Sequence, residues 1–326
     1  MSFPVFDLHC DLLSYLAKYP FGDPFNPKEI ACAVPFLKQG NVKVQVTAIY
    51  TDVRTESMQL GLKQADLFRE LSEKYPDTFY AYQPSSDFHP TKIGIFAAIE
   101  NAAGIGNEAA SWTEIYRQFD LILEKVGRLA YISLTHHTEN RFGGGNYTEG
   151  IGLKDDGKRL LDYMSGKNIP IDLSHTSDLL AEGILTHINN QNLKIPVIAS
   201  HSNFRSIWNH KRNLSDEFAQ EIIKEGGIIG VNFLRAFLDN EVPNRLFDHL
   251  LHGIKIGGEN AQCFGADFFY TSDFPDKSRH PFYFPLAEDA SKYPLILKEL
   301  GKQLTENQLQ KLASENAFRF YQKLHF

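Results

Sequence analysis

The chain has 326 residues, a net charge of −7 at pH 7 and a sequence pI near 5.9. Its densest basic stretch is only His210-Lys211-Arg212, which argues against a nucleic-acid-binding surface. Hydrophobic residues make up 43% of the chain, enough for a large core, yet no apolar run approaches the roughly 20 residues of a membrane span. We therefore expect a small-molecule substrate and no nucleic-acid or membrane partner.

Strand and helix patterns alternate along the chain. Apolar, β-branched runs predict strands at Val5–Leu8, Val42–Ile49, Gly94–Ile99, Ala130–Leu134, Ile169–Leu173, Pro196–Ala199, Gly227–Val231 and Cys263–Ala266. Helical spacing predicts helices at Ser57–Lys74, Trp112–Gly127, Asp156–Lys167, Ser177–Ile188, Ser215–Glu225, Asn244–Ile256, Glu288–Gly301 and Glu306–Lys323. This alternation predicts an α/β protein, a (β/α)8 TIM barrel with C-terminal helices, as a single domain over residues 1–326.

Acidic and imidazole side chains follow five of the predicted strands. These residues are His9 and Asp11, Glu100, His175, His201, and Asp267. In a parallel barrel all strand carboxyl ends meet on one face, where barrel enzymes carry their chemistry. Loop-rich stretches at Pro20–Phe36, Glu139–Gly152 and Asp267–Pro285 are expected to form the rim. His, Asp and Glu together make the ligand set of a metal site with more than one ion, so the pattern predicts a metal-dependent hydrolase.

The first two of these residues lie two positions apart. In a strand, positions i and i+2 share a face, so His9 and Asp11 point the same way and Cys10 points to the opposite side. We therefore expect Cys10 to pack in the core rather than to bind metal. Taken alone, His9 and Asp11 are better explained as a helix cap or a surface pair, and only the other strand ends favour a metal site.

The remaining strand ends have ordinary explanations as well. Glu100 follows a strongly apolar run, where an ionised carboxylate is costly unless it is paired or bound to metal, although it could also face solvent. His175 and His201 each follow a serine, and each alone could be a hydrogen-bonded core histidine. A serine-hydrolase site is disfavoured because the chain lacks a Gly-x-Ser-x-Gly motif.

These residues, in this order, resemble the membrane (renal) dipeptidase family of the amidohydrolase superfamily. The resemblance runs from His9-Cys10-Asp11 to Glu315-Asn316-Ala317-Phe318-Arg319. Its other motifs are Ile99-Glu100, Leu134-Thr135-His136, Ile171-Asp172-Leu173-Ser174-His175, Ser200-His201-Ser202, Arg212-Asn213-Leu214-Ser215-Asp216 and Gly265-Ala266-Asp267-Phe268.

The resemblance implies a site with two divalent ions, expected to be Zn²⁺, bridged by a glutamate and a hydroxide. His9 and Asp11 would bind one ion, His175 and His201 the other, and Glu100 both. The family pattern makes Asp267 and His136 catalytic, with Asp267 moving a proton beside the hydroxide and substrate and His136 contacting the scissile carbonyl oxygen. It also implies that Arg212 binds the terminal carboxylate of a dipeptide, which would be cleaved to free amino acids, and it allows a D-residue at the carboxyl side.

The chain departs from the family pattern next to two of these residues. Asn101 and Ala102 follow Glu100 where the family has two glycines, which predicts added bulk beside the bridging ligand. Phe269 and Tyr270 follow the Asp267 motif where the family has Asp and Gly. We expect the chemistry to survive these changes, while side-chain preference stays open.

Two other functions remain open at this stage: another amidohydrolase activity, such as a deaminase or cyclic-amide hydrolase, and a non-enzymatic metal-binding protein. The three cysteines, Cys10, Cys32 and Cys263, form no disulfide framework, and the first candidate ligand at position 9 leaves no room for a signal peptide. We therefore expect a cytoplasmic protein. A homodimer is one option for its oligomeric state.

Overall fold

Parallel strands form the centre of the protein. The structure, a computed structural model, describes residues 3–84 and 87–325. Within those residues the strands are β1 (Val5–Cys10), β2 (Val42–Tyr50), β3 (Phe79–Ala81), β4 (Ile93–Glu100), β5 (Leu129–Ser133), β6 (Ile171–Asp172), β7 (Val197–Ile198), β8 (Ile229–Val231) and β9 (Gln262–Phe264). The eight predicted strands all appear, although β6 and β7 are only two residues long.

The strand order is β7-β6-β5-β4-β2-β1-β9-β8, and every ladder is parallel. A parallel bridge between Ala199 and Ile229 connects β7 to β8 and brings the two ends of the sheet together. The predicted (β/α)8 TIM barrel is therefore confirmed. Because the strands are parallel, all their carboxyl ends open onto one mouth.

Twelve α-helices lie in the described part of the chain. They are α1 (Leu12–Lys18), α2 (Val34–Gln39), α3 (Ser57–Lys74), α4 (Trp112–Val126), α5 (Asp155–Met164), α6 (Asp178–Gln191), α7 (Asp216–Lys224), α8 (Arg235–Leu238), α9 (Arg245–Lys255), α10 (Tyr293–Leu300), α11 (Glu306–Gln310) and α12 (Asn316–His325). Serine side chains cap α4, α6 and α7 by accepting hydrogen bonds from first-turn amides, as their sequences suggest. None of these helices combines the length and hydrophobicity that crossing a lipid bilayer requires.

The last predicted helix is interrupted. A π-helical segment over Lys311–Glu315 separates α11 from α12 and lies against β1 and β9. Beyond it, the ring of Tyr321 stacks on Phe6 and meets Phe96 edge-on, with centroids 5.6 and 5.1 Å apart. These contacts place α12 over the amino-terminal end of the barrel, so the mouth at the other end is the one available to a ligand.

Candidate active site

A bulge near the end of β1 directs His9 into the mouth. Asp7 pairs with Gln45 of β2, but Cys10 pairs with Thr47, so β1 has one more residue than its partner over this stretch. Bulges of this kind re-aim side chains beside functional sites. Cys10 packs in the core outside the barrel, as expected, and its thiol contacts Cys32. Asp11 does precede α1, but its side chain makes no capping hydrogen bond, so the helix-cap explanation fails.

Glu100, at the carboxyl end of β4, lies at the centre of the site. Its Oε2 is 3.6 Å from His9 Nε2, and its Oε1 is 2.9 Å from His175 Nε2 and 3.5 Å from His201 Nε2. The residue is 3% exposed, so the alternative of a solvent-facing carboxylate is wrong. The two oxygens of this carboxylate therefore face different imidazoles, Oε2 that of His9 and Oε1 those of His175 and His201.

The structure brings all the predicted ligands and Asp267 together. His9 Nε2 is 3.6 Å from Asp267 Oδ1 and 4.0 Å from Asp11 Oδ2. The ring of His9 stacks on that of His201 with centroids 3.7 Å apart, and the Nε2 atoms of His175 and His201 are 2.9 Å apart. Backbone geometry contributes to this convergence, since His175 and Asp267 both adopt a left-handed φ, 68° and 63° respectively. Such non-glycine conformations are uncommon and occur often at functional sites.

These side chains fit divalent metal ions. Two ligands 2.0–2.1 Å from a tetrahedral zinc lie about 3.3 Å from each other, and the separations around Glu100 bracket that distance. His9 Nε2 and Asp11 Oδ1 are buried and have no hydrogen-bond partner, as expected for atoms kept for a ligand. The donors are imidazoles and carboxylates without thiolate, which is typical of catalytic rather than structural zinc.

A hydrogen bond at Nδ1 fixes the ring orientation of His9. Its Nδ1 lies 2.7 Å from the hydroxyl of Tyr131, which itself donates to the carbonyl of Leu8 at 3.1 Å. Because the hydroxyl has only one proton, it accepts from Nδ1–H, and Nε2 keeps its lone pair for the mouth. Sequence reasoning missed Tyr131, whose pattern is that of an ordinary barrel residue.

Asp267 has a partner on one of its two oxygens. Asn232, directly after β8, donates to Oδ2 at 2.7 Å, so Oδ1 is the atom facing His9. Burial raises the pKa of Asp267 to about 7, while Arg212 and the bond from Asn232 act in the opposite direction. A carboxylate with a pKa near neutrality can both take up and release a proton at working pH.

Arg212 lies inside the protein and is only 3% exposed. Its Nη1 donates to Ser202 Oγ at 3.0 Å and its Nη2 to the carbonyl of His201 at 2.9 Å, while Nε is buried without a partner. Among the residues that the structure describes, no carboxylate lies within ion-pair distance of this guanidinium. Arg212 is therefore a buried cation beside the predicted metal ligands, without an anionic partner among the described residues.

His136 lies next to these ligands, with Nε2 3.9 Å from Glu100 Oε1 and its ring 4.2 Å from that of His175. His137, which sequence reasoning did not single out, completes a group of three imidazoles with His136 and His175. Its Nδ1 lies 3.2 Å from the side-chain oxygen of Asn146. The consecutive histidines at 136 and 137 were the signal that could have identified it.

Burial dominates the electrostatics of the site. It lowers the pKa of His9 to about 3 and that of His137 to about 4, and it holds the pKa values of His136, His175 and His201 well below the usual range. Burial, together with neighbouring carboxylates, raises the pKa values of Glu100 and Asp11 well above theirs. The imidazoles are thus neutral and able to bind metal.

The residues that depart from the family pattern make contacts of their own. Asn101 has a φ of 71°, a conformation that asparagine tolerates better than most residues, which accounts for its replacing a glycine. Its amide donates to the carbonyl of Thr51 and accepts from Asn140, both at 2.8 Å. These two bonds hold the added side chain against the segments that follow β2 and β5. Tyr270 packs on Tyr15 and Tyr19 at the rim.

The chain is similar to several known proteins over most of its length. Dipeptidase verJ of Clonostachys rogersoniana is 28% identical over 282 residues, which cover 82% of this chain and 66% of that protein. The solved structure of the metallopeptidase dipeptidase AC has a TM-score of 0.82 at 20% identity and covers 98% of both chains. A metallopeptidase from Rhodobacter sphaeroides, liganded with a phosphinate mimic of the dipeptide L-Ala-D-Ala, has a TM-score of 0.83 at 20% identity, with 98% and 99% covered.

The family model for membrane dipeptidases (peptidase family M19) matches residues 1–325, nearly the whole sequence. Such a match covers the barrel, all the strand-end residues and the C-terminal helices together. The chain therefore belongs to the membrane dipeptidase family.

Proposed function

We propose that the protein is a zinc-dependent dipeptidase that hydrolyses dipeptides to free amino acids. The observation that carries the proposal is that the two oxygens of Glu100 face different neutral imidazoles, Oε2 that of His9 and Oε1 those of His175 and His201, with the guanidinium of Arg212 buried nearby. The first feature suits a pair of divalent cations, and the second suits the carboxylate that every unmodified dipeptide carries.

Five residues would hold the two ions. His9 and Asp11 would bind one, His175 and His201 the other, and Glu100 both. The chemistry that bound divalent ions would supply is a lowered pKa for a water molecule near neutral pH and polarisation of the scissile carbonyl.

Arg212 would orient the substrate. A planar guanidinium can donate two parallel hydrogen bonds to a carboxylate, and burial at 3% exposure removes the competition from water. Holding the terminal carboxylate there fixes the distance from the carboxyl end to the peptide bond. A preference for dipeptides over longer peptides would follow from this fixed length.

Asp267 and His136 would act on the reacting atoms. Oδ1 of Asp267 would accept the proton of the attacking water and return it to the departing amine, since Oδ2 is held by Asn232. His136 would donate a hydrogen bond to the carbonyl oxygen as negative charge develops there, and its lowered pKa keeps it neutral beforehand.

We extend the proposal to dipeptides with a D-residue at the carboxyl side, because the similar Rhodobacter sphaeroides protein holds a mimic of L-Ala-D-Ala. We also propose a cytoplasmic location, since Cys10, Cys32 and Cys263 are all free and buried. A homodimer is the assembly we propose to test first, by size-exclusion chromatography with light scattering.

A panel of dipeptides with L- and D-residues at each position tests the activity. We expect amino-acid release that depends on added zinc and is abolished in Glu100→Gln, together with two zinc ions per chain by elemental analysis. Fewer than one ion per chain after loading, or no release from any dipeptide, would refute the proposal. Hydrolysis of cyclic amides or deamination without dipeptide cleavage would instead indicate the other amidohydrolase activity.

A further inference from the structure

Asp172, at the end of β6, is a buried carboxylate to which the proposed chemistry assigns no role. It is 0% exposed, and its Oδ1 accepts hydrogen bonds from the backbone amides of Ser174 at 2.9 Å and Ser200 at 2.8 Å. Its Oδ2 accepts from the hydroxyl of Ser200 at 2.5 Å. Asp172 thus ties the turn after β6 to the turn after β7, and these are the turns that carry His175 and His201.

The hydroxyl of Ser200 transmits this contact to a metal ligand. Its oxygen lies 2.6 Å from His201 Nδ1. A carboxylate can only accept, so the single hydroxyl proton of Ser200 points to Asp172, and the hydroxyl oxygen must accept from Nδ1–H of His201. The Nε2 atom of His201, 3.5 Å from Glu100 Oε1, is then left with its lone pair.

A second branch leads from the same turns to Arg212. The hydroxyl of Ser174 accepts from the backbone amide of His201 at 3.1 Å and from the hydroxyl of Ser202 at 3.2 Å. Ser202 in turn accepts from Arg212 Nη1 at 3.0 Å. Ser174, Ser200 and Ser202 are each at most 2% exposed, so water does not compete for these bonds.

Close packing of the backbone holds this network in place. A Cβ added to Gly265 would lie 2.0 Å from the carbonyl oxygen of Ser200, so the end of β9 passes directly against the turn that carries Ser200. Only glycine permits this approach. The hydroxyl of Ser200 therefore has little freedom to move away from Asp172 and His201.

We propose that Asp172 is a positioning residue that serves both halves of the site: it fixes the His201 tautomer through Ser200, and it orients Arg212 through Ser174 and Ser202. The inference rests on the proposed dipeptidase site and deepens it. His175 differs from His201, because its Nδ1 is buried without a hydrogen-bond partner. Among the histidines proposed to bind the second ion, His201 is thus the one whose tautomer is set by a neighbouring side chain.

Metal binding by the apoprotein tests the first branch. In competition with a chromophoric chelator, Ser200→Ala and Asp172→Asn should weaken the binding of one of two zinc ions by about 10- to 100-fold and leave the other unchanged. Ser57→Ala is the matched control, since Ser57 is equally buried but bonds to the carbonyls of Asp52 and Arg54. Unchanged affinities for both ions in a folded Ser200→Ala protein would overturn the inference.

The second branch is tested by steady-state kinetics. Ser202→Ala should raise KM for dipeptides by about 5-fold, the effect of one lost hydrogen bond, with zinc affinity and kcat unchanged. An unchanged KM would mean that Ser202 does not orient Arg212 for substrate binding.

The tautomer can be measured in the wild-type protein, independently of the Ser200 and Asp172 variants. In metal-free wild-type protein labelled with ¹⁵N-histidine, long-range ¹H–¹⁵N spectra should show His201 protonated at Nδ1, with its signals identified by their loss in His201→Asn. Protonation at Nε2 would refute the inference. If the protein has this tautomer and a zinc site that depends on Ser200, but cleaves no dipeptide, the proposed function is refuted and the inference about Asp172 still holds.

Discussion

Asn232 donates a hydrogen bond to Oδ2 of Asp267 across 2.7 Å, and this contact decides which oxygen of Asp267 faces the proposed metal ligands. The other oxygen, Oδ1, lies 3.6 Å from His9 Nε2. Asn232 is itself held by Asn203, whose amide bonds to both the N–H and the carbonyl of Asn232 at 3.0 Å. The carboxylate proposed to move the proton is thus fixed by a rigid, buried pair of amides.

Replacing Asn232 by alanine should shift the pH dependence of catalysis. The hydrogen bond stabilises ionised Asp267 and lowers its pKa, so its loss should raise that pKa. Since Asp267 must be ionised to accept a proton, the acid limb of kcat/KM should move to higher pH by about one unit. Asn316→Ala, which removes an equally buried amide beside Glu259 and Gln262, should leave the limb in place. If the acid limb of kcat/KM does not shift in Asn232→Ala, Asn232 does not influence the proton transfer by Asp267.

The sequence predicted the barrel and the convergence of the ligands, because both follow from local patterns. Alternating apolar runs mark the strands, and polar residues directly after them must meet at one mouth. The short helices α1, α2 and α8 and the strand β3 were not predicted. Segments this short show no periodicity of their own, and their stability comes from tertiary packing. In α2, for example, Val34 and Leu37 are buried in the core.

The supporting contacts of the site could not be read from the sequence. Tyr131 lies 122 positions from His9, and Asn232 lies 35 positions from Asp267, so their pairing depends on barrel register rather than on spacing. The left-handed backbone at Asn101 is equally invisible in the sequence, because asparagine occurs in many other conformations. Only the serine before each of His175 and His201 hinted at a hydrogen-bond partner.

Arg212→Lys should separate substrate binding from chemistry. Lysine keeps the charge but loses the planar fork and one of the bonds to Ser202 and the His201 carbonyl. We expect KM for dipeptides to rise about 10- to 100-fold, with a smaller change in kcat. Arg159→Lys is the control, because Arg159 is exposed on α5 over the ring of Trp112. An Arg212→Lys enzyme with an unchanged KM would favour a substrate without a terminal carboxylate.

Removing the metal should make stability fall as pH rises. Folding raises the pKa values of Asp11 and Glu100 well above their usual range and that of Asp267 to about 7, so the stability that their protonated forms provide at low pH is lost as pH rises to each folded pKa; for Asp267 this loss is complete near neutrality, and any further fall comes from Asp11 and Glu100. Above pH 7 the buried histidines do not contribute, since both folded and unfolded forms are neutral there.

Urea unfolding at pH 7, 8 and 9, with and without chelator, measures this effect. We expect the midpoint to fall with pH in the chelated protein and to stay nearly level in the zinc-loaded protein, where cations stabilise the ionised carboxylates. Parallel pH profiles for the two forms would mean that these carboxylates do not bind the metal.

Tyr131→Phe should weaken the binding of the ion proposed at His9 and Asp11. The change removes one oxygen, and it leaves His9 Nδ1 and the carbonyl of Leu8 without their partner inside the barrel. We expect zinc affinity at one site to fall by about 10- to 100-fold, measured by chelator competition, because outer hydrogen bonds fix the orientation of ligand imidazoles.

The barrel interior provides a matched control for that change. The hydroxyl of Tyr321 is also buried in the interior cluster that contains Tyr131, but it has no hydrogen-bond partner. Tyr321→Phe therefore removes the same atom without breaking a contact, and it should leave both zinc affinities unchanged and stability equal or higher. If the two variants lose zinc affinity equally, a general loosening of the barrel, rather than the bond to His9, would account for the effect.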